Sequence, residues 1–530
     1  MTGTGGLLRL QLRRDRVRLP AWVAGFAAFT LYLTLAIPEV YGVEEELASA
    51  SQLIGGPLGR LLTGPGYGLD EVTLARFITS GYGLYFLLLA ALMNILLLTR
   101  HTRLEEQTGR AELLRAGVVG RHAPLTAALL LAVLTNVVAA AAVLLAFTAT
   151  VQAHLDGALL FAAAIAVTGV TFAGVAALTA QIGGTSRSAA GLAGLVLGAA
   201  FLLRAVGDAV EIGGSALSWT NPLGWAQQTA PYVLDRWWPL ALSLGMAAGA
   251  AAAALWIQSR RDLGVGLLQP RPGPGRAALW LGSPLTLAWR QQRTALLGWS
   301  AALAAAGLAF GGFADLMLTA AADLPEALIE VIGGEQDLLD GYTSFMALYV
   351  GLIAAVYAVL AVAGLRSEEV RGRLEPVLAT AVSRPAWLAA HLTVIAGAVL
   401  VILTVAGFAL GLGTAAVTGD GEQVALLTAA HLNVAPAVLV VLGVAVLAFG
   451  AAPRLIGVGW AVIGFGLAES FFGDLLDLPE AVLAASPFFH AARVPAEPFA
   501  AAPLWGLTAV AGALGLLALL AFRHRPIDSR

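Results

Sequence analysis

Two stretches of this chain concentrate ionisable residues between long runs that hold none: RLEEQTGRAELLRAGVVGR at 103–121 and RSEEVRGRLEPVLATAVSR at 366–384, the second with seven charges. The chemistry open to clustered Arg and Glu is ion pairing and docking. Catalysis has poorer material. The chain has 7 histidines, with no H-E-x-x-H, no Ser-His-Asp cluster and no two-His carboxylate spacing. It has no cysteine, which removes disulfides, thiolate chemistry and Cys-ligated zinc or iron–sulfur sites.

At an offset of 263, without a gap, Arg103, Glu105, Glu106, Gly109, Arg110, Glu112, Val119 and Arg121 fall on Arg366, Glu368, Glu369, Gly372, Arg373, Glu375, Val382 and Arg384. These eight matches within nineteen positions mark an internal repeat. The helix formers of residues 104–114 predict one helix, with Glu105, Gly109 and Glu112 near one face and the charges turned toward a soluble partner. For a single copy, a solvated hairpin whose charges serve topology alone is the plainer reading. Duplication favours docking, because topology needs arginines but not a fixed Glu, Gly, Glu pattern.

The elements that must carry these clusters are set by composition. With 59% hydrophobic residues, 12% charged residues and a mean hydropathy of +0.82, the 530 residues have too little polar surface to cover a water-soluble body. The chain belongs in a membrane. A bilayer core about 30 Å thick needs roughly 20 apolar residues of helix. Such runs predict twelve spans, starting near residues 19, 77, 124, 158, 188, 237, 295, 343, 387, 425, 455 and 502. The fifth and eleventh are short, ending at Arg204 and Glu469. Continuous apolar runs without alternation favour helices over a β-barrel. The long basic segment before the first span, with no clean cleavage site after it, predicts an uncleaved helix.

All 30 basic residues are arginine, and this Ala, Gly and Arg excess resembles the codon bias of a high-GC bacterium. With a cytoplasmic N-terminus, 25 of the 30 fall on the inner side, so both termini are expected in the cytoplasm of a multi-pass bacterial plasma-membrane protein. The loops 39–71 and 315–340 are acidic and fall outside. Both charge clusters then lie on the cytoplasmic face, after spans two and eight. Further anchors support the duplication: Arg13, Arg16 and Trp22 match Arg290, Arg293 and Trp299, Ile54-Gly55-Gly56 matches Ile332-Gly333-Gly334, and NPLGW at 221 sits opposite SPFFH at 486. The expected domains are two six-helix halves, 1–261 and 285–530, joined by a cytoplasmic Pro/Gly/Arg-rich linker at 262–284. Six is even, so both halves run the same way, about a pseudo-twofold axis along the membrane normal.

The EExxGRxExL cluster after the second helix of a six-helix unit resembles the coupling helix of ABC-2-type permeases, roughly E-x-E-x-G-T-x-E-x-L followed by a P-V-S-R-like stretch. AVSR at 381–384 fits that tail well and VVGR at 118–121 less well, while Arg110 and Arg373 replace the usual Thr. The two-by-six layout is similar to that of actinobacterial antibiotic, polyketide and multidrug exporter permeases. The resemblance implies an all-α fold of about twelve transmembrane helices and export of amphiphilic compounds. It also implies that residues 8–19 and 284–295 are connecting helices on the membrane, and that the chain between the fifth and sixth helices is partly re-entrant.

A P-loop needs Gly-Lys, and a chain without lysine has none. ATP and Mg are therefore expected on a separate ABC ATP-binding subunit, with no cofactor in this chain and no enzymatic activity of its own. Two coupling elements in one chain imply two copies of that subunit, or one each of two related ones. The coupling residues are Arg103, Glu105, Glu106, Gly109, Arg110, Glu112 and Arg121, with Arg366, Glu368, Glu369, Gly372, Arg373, Glu375 and Arg384. The other expected partners are the bilayer and a small amphiphilic substrate, with no nucleic acid.

Aromatic residues stand in register on spans two and eight: Tyr82 with Phe345 and Phe86 with Tyr349, while Asn94 falls on Tyr357. Two readings stay open, a cargo path suited to flat apolar ligands or plain packing. Small residues at Gly194 and Gly198 and at Gly457 and Ala461 predict close helix approach. Arg204 and Glu469 read either as an outer gate or as markers of the interface, where a charge is cheap. An ion-coupled secondary transporter would place acids or histidines deep in its spans; His391 and His431 read as tolerated polar residues. A non-transporting component of a regulatory complex stays open.

Overall fold

The computed structural model describes residues 2–41, 44–262, 264–268, 275–314, 338–472 and 479–527. All regular structure among them is helical, and eleven helices are long and apolar enough to cross a bilayer. Helices close their own backbone hydrogen bonds, which the water-free interior of a membrane requires. Their starts are written locally: Thr185 and Ser283 form reciprocal capping boxes with Ser188 and Thr286, and Ser383 accepts from the Ala386 amide.

The chain divides into two compact units, Met1–Gly273 and Pro274–Arg530. Unit 1 begins with α1 (Thr4–Arg14) and α2 (Arg18–Val40), then the shorter α3 (Glu44–Gly55) and α4 (Pro57–Thr63). The run α5 (Leu74–Gln107) contains a π-wound turn at Ile78–Tyr82. There follow α6 (Arg110–Arg115), α7 (Ala123–Thr150), α8 (Leu155–Ile182), α9 (Ser186–Val210), α10 (Pro222–Gln227) and α11 (Pro239–Gln258). Unit 2 runs α12 (Pro284–Gly312), α13 (Leu338–Val370), α14 (Leu374–Leu378), α15 (Arg384–Thr418), α16 (Glu422–Ala451), α17 (Val458–Phe472), α18 (Glu480–Leu483) and α19 (Ala501–His524).

Several expectations are corrected. The fifth span does not stop at Arg204, because α9 continues for 25 residues to Val210. Arg204 stays inside by pairing with Asp208 at 3.3 Å and donating to the Leu61 carbonyl at 2.7 Å. The eleventh predicted span is the 15-residue α17 among the described residues, about 22 Å at helical rise, short of a bilayer core. Residues 8–19 do not form one connecting helix: α1 ends at Arg14, where the chain turns around Asp15, and α2 begins at Arg18. Residues 284–295 are the opening turns of the unbroken 29-residue α12. The start of the expected linker is bound, with Leu267 and Leu268 donating to the carbonyls of Gln181 and Ile182 at 3.2 and 2.9 Å. The acidic loop 315–340 lies largely outside the described residues, as do Ile332, Gly333 and Gly334.

Within their own units the small-residue pairs named from sequence make no close approach. Added Cβ atoms at Gly194, Gly198 and Gly457 meet only open space within their own units, and Ala461 is exposed. Backbones touch elsewhere. In unit 1, Gly174 faces the Ala247 backbone, and in unit 2 Gly307 and Gly311 of α12 face α15.

The far end of unit 1 from α6 is closed by polar groups. Arg60 donates to the carbonyls of Gly55, Asp208 and Ala209, and Asp208 also accepts from Ser218 at 2.5 Å. Asn221 of the NPLGW motif caps α10 through the Gly224 amide, and in unit 2 Ser486 of SPFFH accepts from the Phe488 amide.

Candidate functional site

The chain leaves α5 at Gln107, adopts a left-handed conformation at Gly109 (φ +73°) and restarts as α6. Unit 2 repeats the device: α13 ends at Val370, Gly372 takes φ +67° and α14 follows. Residues 104–114 are therefore two short helices meeting at a break, because a left-handed residue cannot continue a right-handed helix. An added Cβ at Gly109 or Gly372 meets nothing within 4 Å, so backbone conformation alone calls for glycine there. Gly109→Ala and Gly372→Ala should each lower stability by about 1–2 kcal/mol through this strain, read by thermal unfolding in detergent. Asn at either position should restore part of the loss.

Each break is held by an arginine–glutamate–arginine clamp. In unit 1 the Glu106 carboxylate accepts from Arg103 at 2.6 Å and from Arg261 at 2.5 and 3.0 Å, with the Gly264 amide at 3.3 Å. In unit 2 Glu369 accepts from Arg366 at 3.1 Å and from Arg525 at 2.9 Å on both oxygens. The clamps share a third part. Arg121 donates to the Arg261 carbonyl at 3.3 Å, and Arg384 donates to that of Arg525 at 2.7 Å. Thus the end of the second long helix, the start of the third and the exit of the last are tied together in each unit. Arg103 also donates to the Gly183 carbonyl at 2.7 Å, and Arg525 lies over the rings of Phe449 and Phe522.

The predicted coupling residues accordingly separate by location. Arg103, Glu106 and Glu369 are internal, with the Arg103 and Glu369 side chains fully buried, while Arg366 is part-buried. Glu105 faces inward as well, reaching Arg14 of α1 at 2.8 Å and Arg110 at 3.7 Å; its counterpart Glu368 pairs with Arg373 at 3.0 Å. Exposed on α6 and the turn after it are Arg110, Glu112, Leu113 (77%) and Val118 (89%). In unit 2 the exposed residues include Val370, Arg373 and Glu375. Leu114 and Val119 pack with Leu7 of α1 and hold the first element down, and buried Leu374 anchors the second. The result is a mixed-charge surface with an apolar centre on a rigid base, suited to a protein partner.

Arg261 and Arg525 were not singled out from sequence. They stand 264 residues apart, nearly the offset of the clusters, each just past the last helix of its unit. Reading the repeat beyond the charge-rich stretches would have found them.

The aromatic candidates have varied surroundings. Phe86 is fully buried among Phe26, Phe29 and Phe161. Asn94 exchanges two hydrogen bonds with Asn136 of α7, at 2.9 and 3.1 Å. Tyr357 is buried, donates to Gln292 at 3.3 Å and meets the Trp299 ring edge-on. Tyr82, Phe345 and Tyr349 are part-buried, Tyr82 beside Phe77 and Tyr85. Within unit 1 the two terminal nitrogens of Arg204 reach Asp208 and the Arg60 and Leu61 carbonyls, and Glu469 is buried on α17 with Ser470 at 3.3 Å. His391 bonds the Trp387 carbonyl and Gln291, and His431 the Leu427 carbonyl.

The family described as multidrug efflux system permease Rv1217c, C-terminal domain, matches residues 5–257 and again residues 281–523. The chain is also 38% identical to the multidrug efflux system permease protein Rv1217c of Mycobacterium tuberculosis, over 99% of this chain and 95% of that relative. With eleven apolar helices among the described residues and this pair of matches, the chain is a multi-pass membrane protein that belongs to the family of multidrug efflux system permeases.

Proposed function

We propose that this permease is the membrane subunit of an ATP-driven exporter that moves amphiphilic small molecules, antibiotics among them, out of a bacterial cell. ATP and Mg sit on a separate ABC ATP-binding subunit. The observation that carries the reading is the doubled device: a glycine break, a short helix with an exposed glutamate and an arginine–glutamate–arginine clamp behind it, once in each unit. A push on α6 or α14 reaches the second and last long helices of its unit through ion pairs, and the third through the hydrogen bond from Arg121 or Arg384. Two such elements suit two copies of an ATPase subunit per chain, with the halves related by a pseudo-twofold axis along the membrane normal. The arginine distribution supports placing both elements and both termini in the cytoplasm. Arg110, Glu112, Arg373 and Glu375 then touch the partner, while Glu106 and Glu369 transmit.

The test is co-purification with the ATP-binding protein encoded beside this chain, scoring subunit ratio and ATPase activity, then repetition with Glu112→Arg and Glu375→Arg together. Neither carboxylate has an ion-pair partner among the described residues, so the double variant should fold with stability unchanged within about 0.5 kcal/mol. A one-to-two complex is expected, with transport-coupled ATPase activity falling more than about tenfold in the variant, because charge reversal sets like charges against each other at the interface. A complex indifferent to both reversals would refute the docking assignment. A stable permease with no nucleotide-binding partner would favour an ion-coupled transporter or a regulatory component.

A further inference from the structure

The elbow between α1 and α2 forms, with the end of α5, a groove of about 320 Å³ that lies wholly within unit 1. Its walls are apolar, including Trp22, Met93 and Leu96, and Leu96 is 48% exposed. Its mouth carries Arg18, Arg100 and Asp15. Buried Asp15 is already occupied, with His101 at 2.5 Å and the Nε of Arg100 at 3.1 Å. That leaves exposed Arg18 and the terminal nitrogens of Arg100 without a protein acceptor among the described residues. An apolar slot on membrane helices beneath two guanidinium groups is the arrangement that a charged head and an acyl chain fill together.

The repeat sharpens this. At the same offsets Trp22 is kept as Trp299, but Arg18 becomes Ala295, Arg100 becomes Ala363 and Asp15 becomes Gln292. The second unit keeps the tryptophan of the wall without the charged mouth, so the arginines are not a requirement of the fold.

We infer that this groove is a binding site for one anionic phospholipid, its phosphate held by Arg18 and Arg100 and an acyl chain lying along Leu19, Trp22 and Leu96. The elbow that lines the site follows directly on α1, and Glu105 ties α1 to the coupling element through Arg14. A bound lipid therefore braces the base of the first docking element, and the second has no equivalent.

The test uses the full-length permease in neutral detergent, titrated with phosphatidylglycerol or phosphatidylcholine and read by native mass spectrometry, with no ATPase subunit present. Its failure is thus separable from failure of the proposed function. One tightly held phosphatidylglycerol per chain is expected, with phosphatidylcholine much weaker. Arg18→Gln should weaken retention about fivefold and Arg18→Gln with Arg100→Gln about 25-fold, as expected for two cations near an anionic headgroup. Leu96→Trp, which fills the apolar floor and leaves both arginines, should also reduce retention. Ala295→Arg with Ala363→Arg should raise the count from one lipid to two. Equal binding of the two lipids, or retention unchanged in both the double variant and Leu96→Trp, overturns the inference. Displacement of the lipid by millimolar inorganic phosphate would overturn it too, since the groove would then be a phosphate site.

Discussion

Gly311→Val is expected to lower the stability of the permease by about 3 kcal/mol or more, at or beyond the top of the usual overpacking range. Gly307 and Gly311 place the α12 backbone directly on α15. A Cβ at Gly307 would lie 2.7 Å from the Ala406 carbonyl oxygen. One at Gly311 would strike the Leu410 carbonyl and stand 2.7 Å from the Thr414 amide and 2.8 Å from the Gly413 Cα. Backbone opposes backbone on both sides, so no side chain can rotate away, and two long helices must separate. Gly311→Ala should be milder with the same sign. Gly298→Val, on the same helix with nothing within 4 Å of the added atoms' root, is the control and should stay within about 0.5 kcal/mol. Thermal unfolding in detergent with size-exclusion homogeneity decides it: a tolerated Gly311→Val would mean that this crossing does not hold unit 2 together.

The second large effect is expected from the clamp. Glu369→Ala leaves the guanidinium groups of Arg366 and Arg525 without their shared carboxylate, in a site where the Arg525 side chain is only 7% exposed. Breaking a buried pair from one side costs about 3–5 kcal/mol, mostly from the charge left behind. Arg366, 25% exposed, can turn to water, so Arg525 carries most of the penalty. Glu369→Leu with Arg525→Met should therefore recover stability to within about 1 kcal/mol of the parent, because two apolar groups need no partner. That double variant should still lose coupled ATPase activity, since the tie from α13 to the exit of α19 is gone. Full recovery of both properties would assign the clamp to stability alone. Glu106→Ala should cost about as much, because it leaves the fully buried Arg103 side chain without its carboxylate, although the Arg261 guanidinium still reaches Gln181 and Val265.

The charge clusters were legible because like residues recur at one offset, and repetition is a property of sequence. Their division of labour was not. Glu105, Glu106 and Glu112 look alike in one dimension, yet Glu112 faces outward while Glu105 and Glu106 face Arg14 and Arg261, which are 91 and 155 residues away. Neighbouring propensities around Gly109 favour a continuous helix, and only its left-handed backbone shows the turn. Arg204 was read as a helix end because an isolated charge is expensive in a membrane. Asp208, one turn on, and the α4 carbonyls remove that expense.

Sequence by itself determined the solvent, the helical class, the repeat and the family, because hydropathy, periodicity and self-similarity are additive along a chain. Tertiary structure alone decided which glycines touch a neighbour, which charges are exposed and which are paired inside, and that Arg261 and Arg525 complete the clamps. Those are matters of distance between residues far apart in sequence. Burial and pairing depend on what arrives from elsewhere, and nothing local to Glu106 records that Arg261 will meet it.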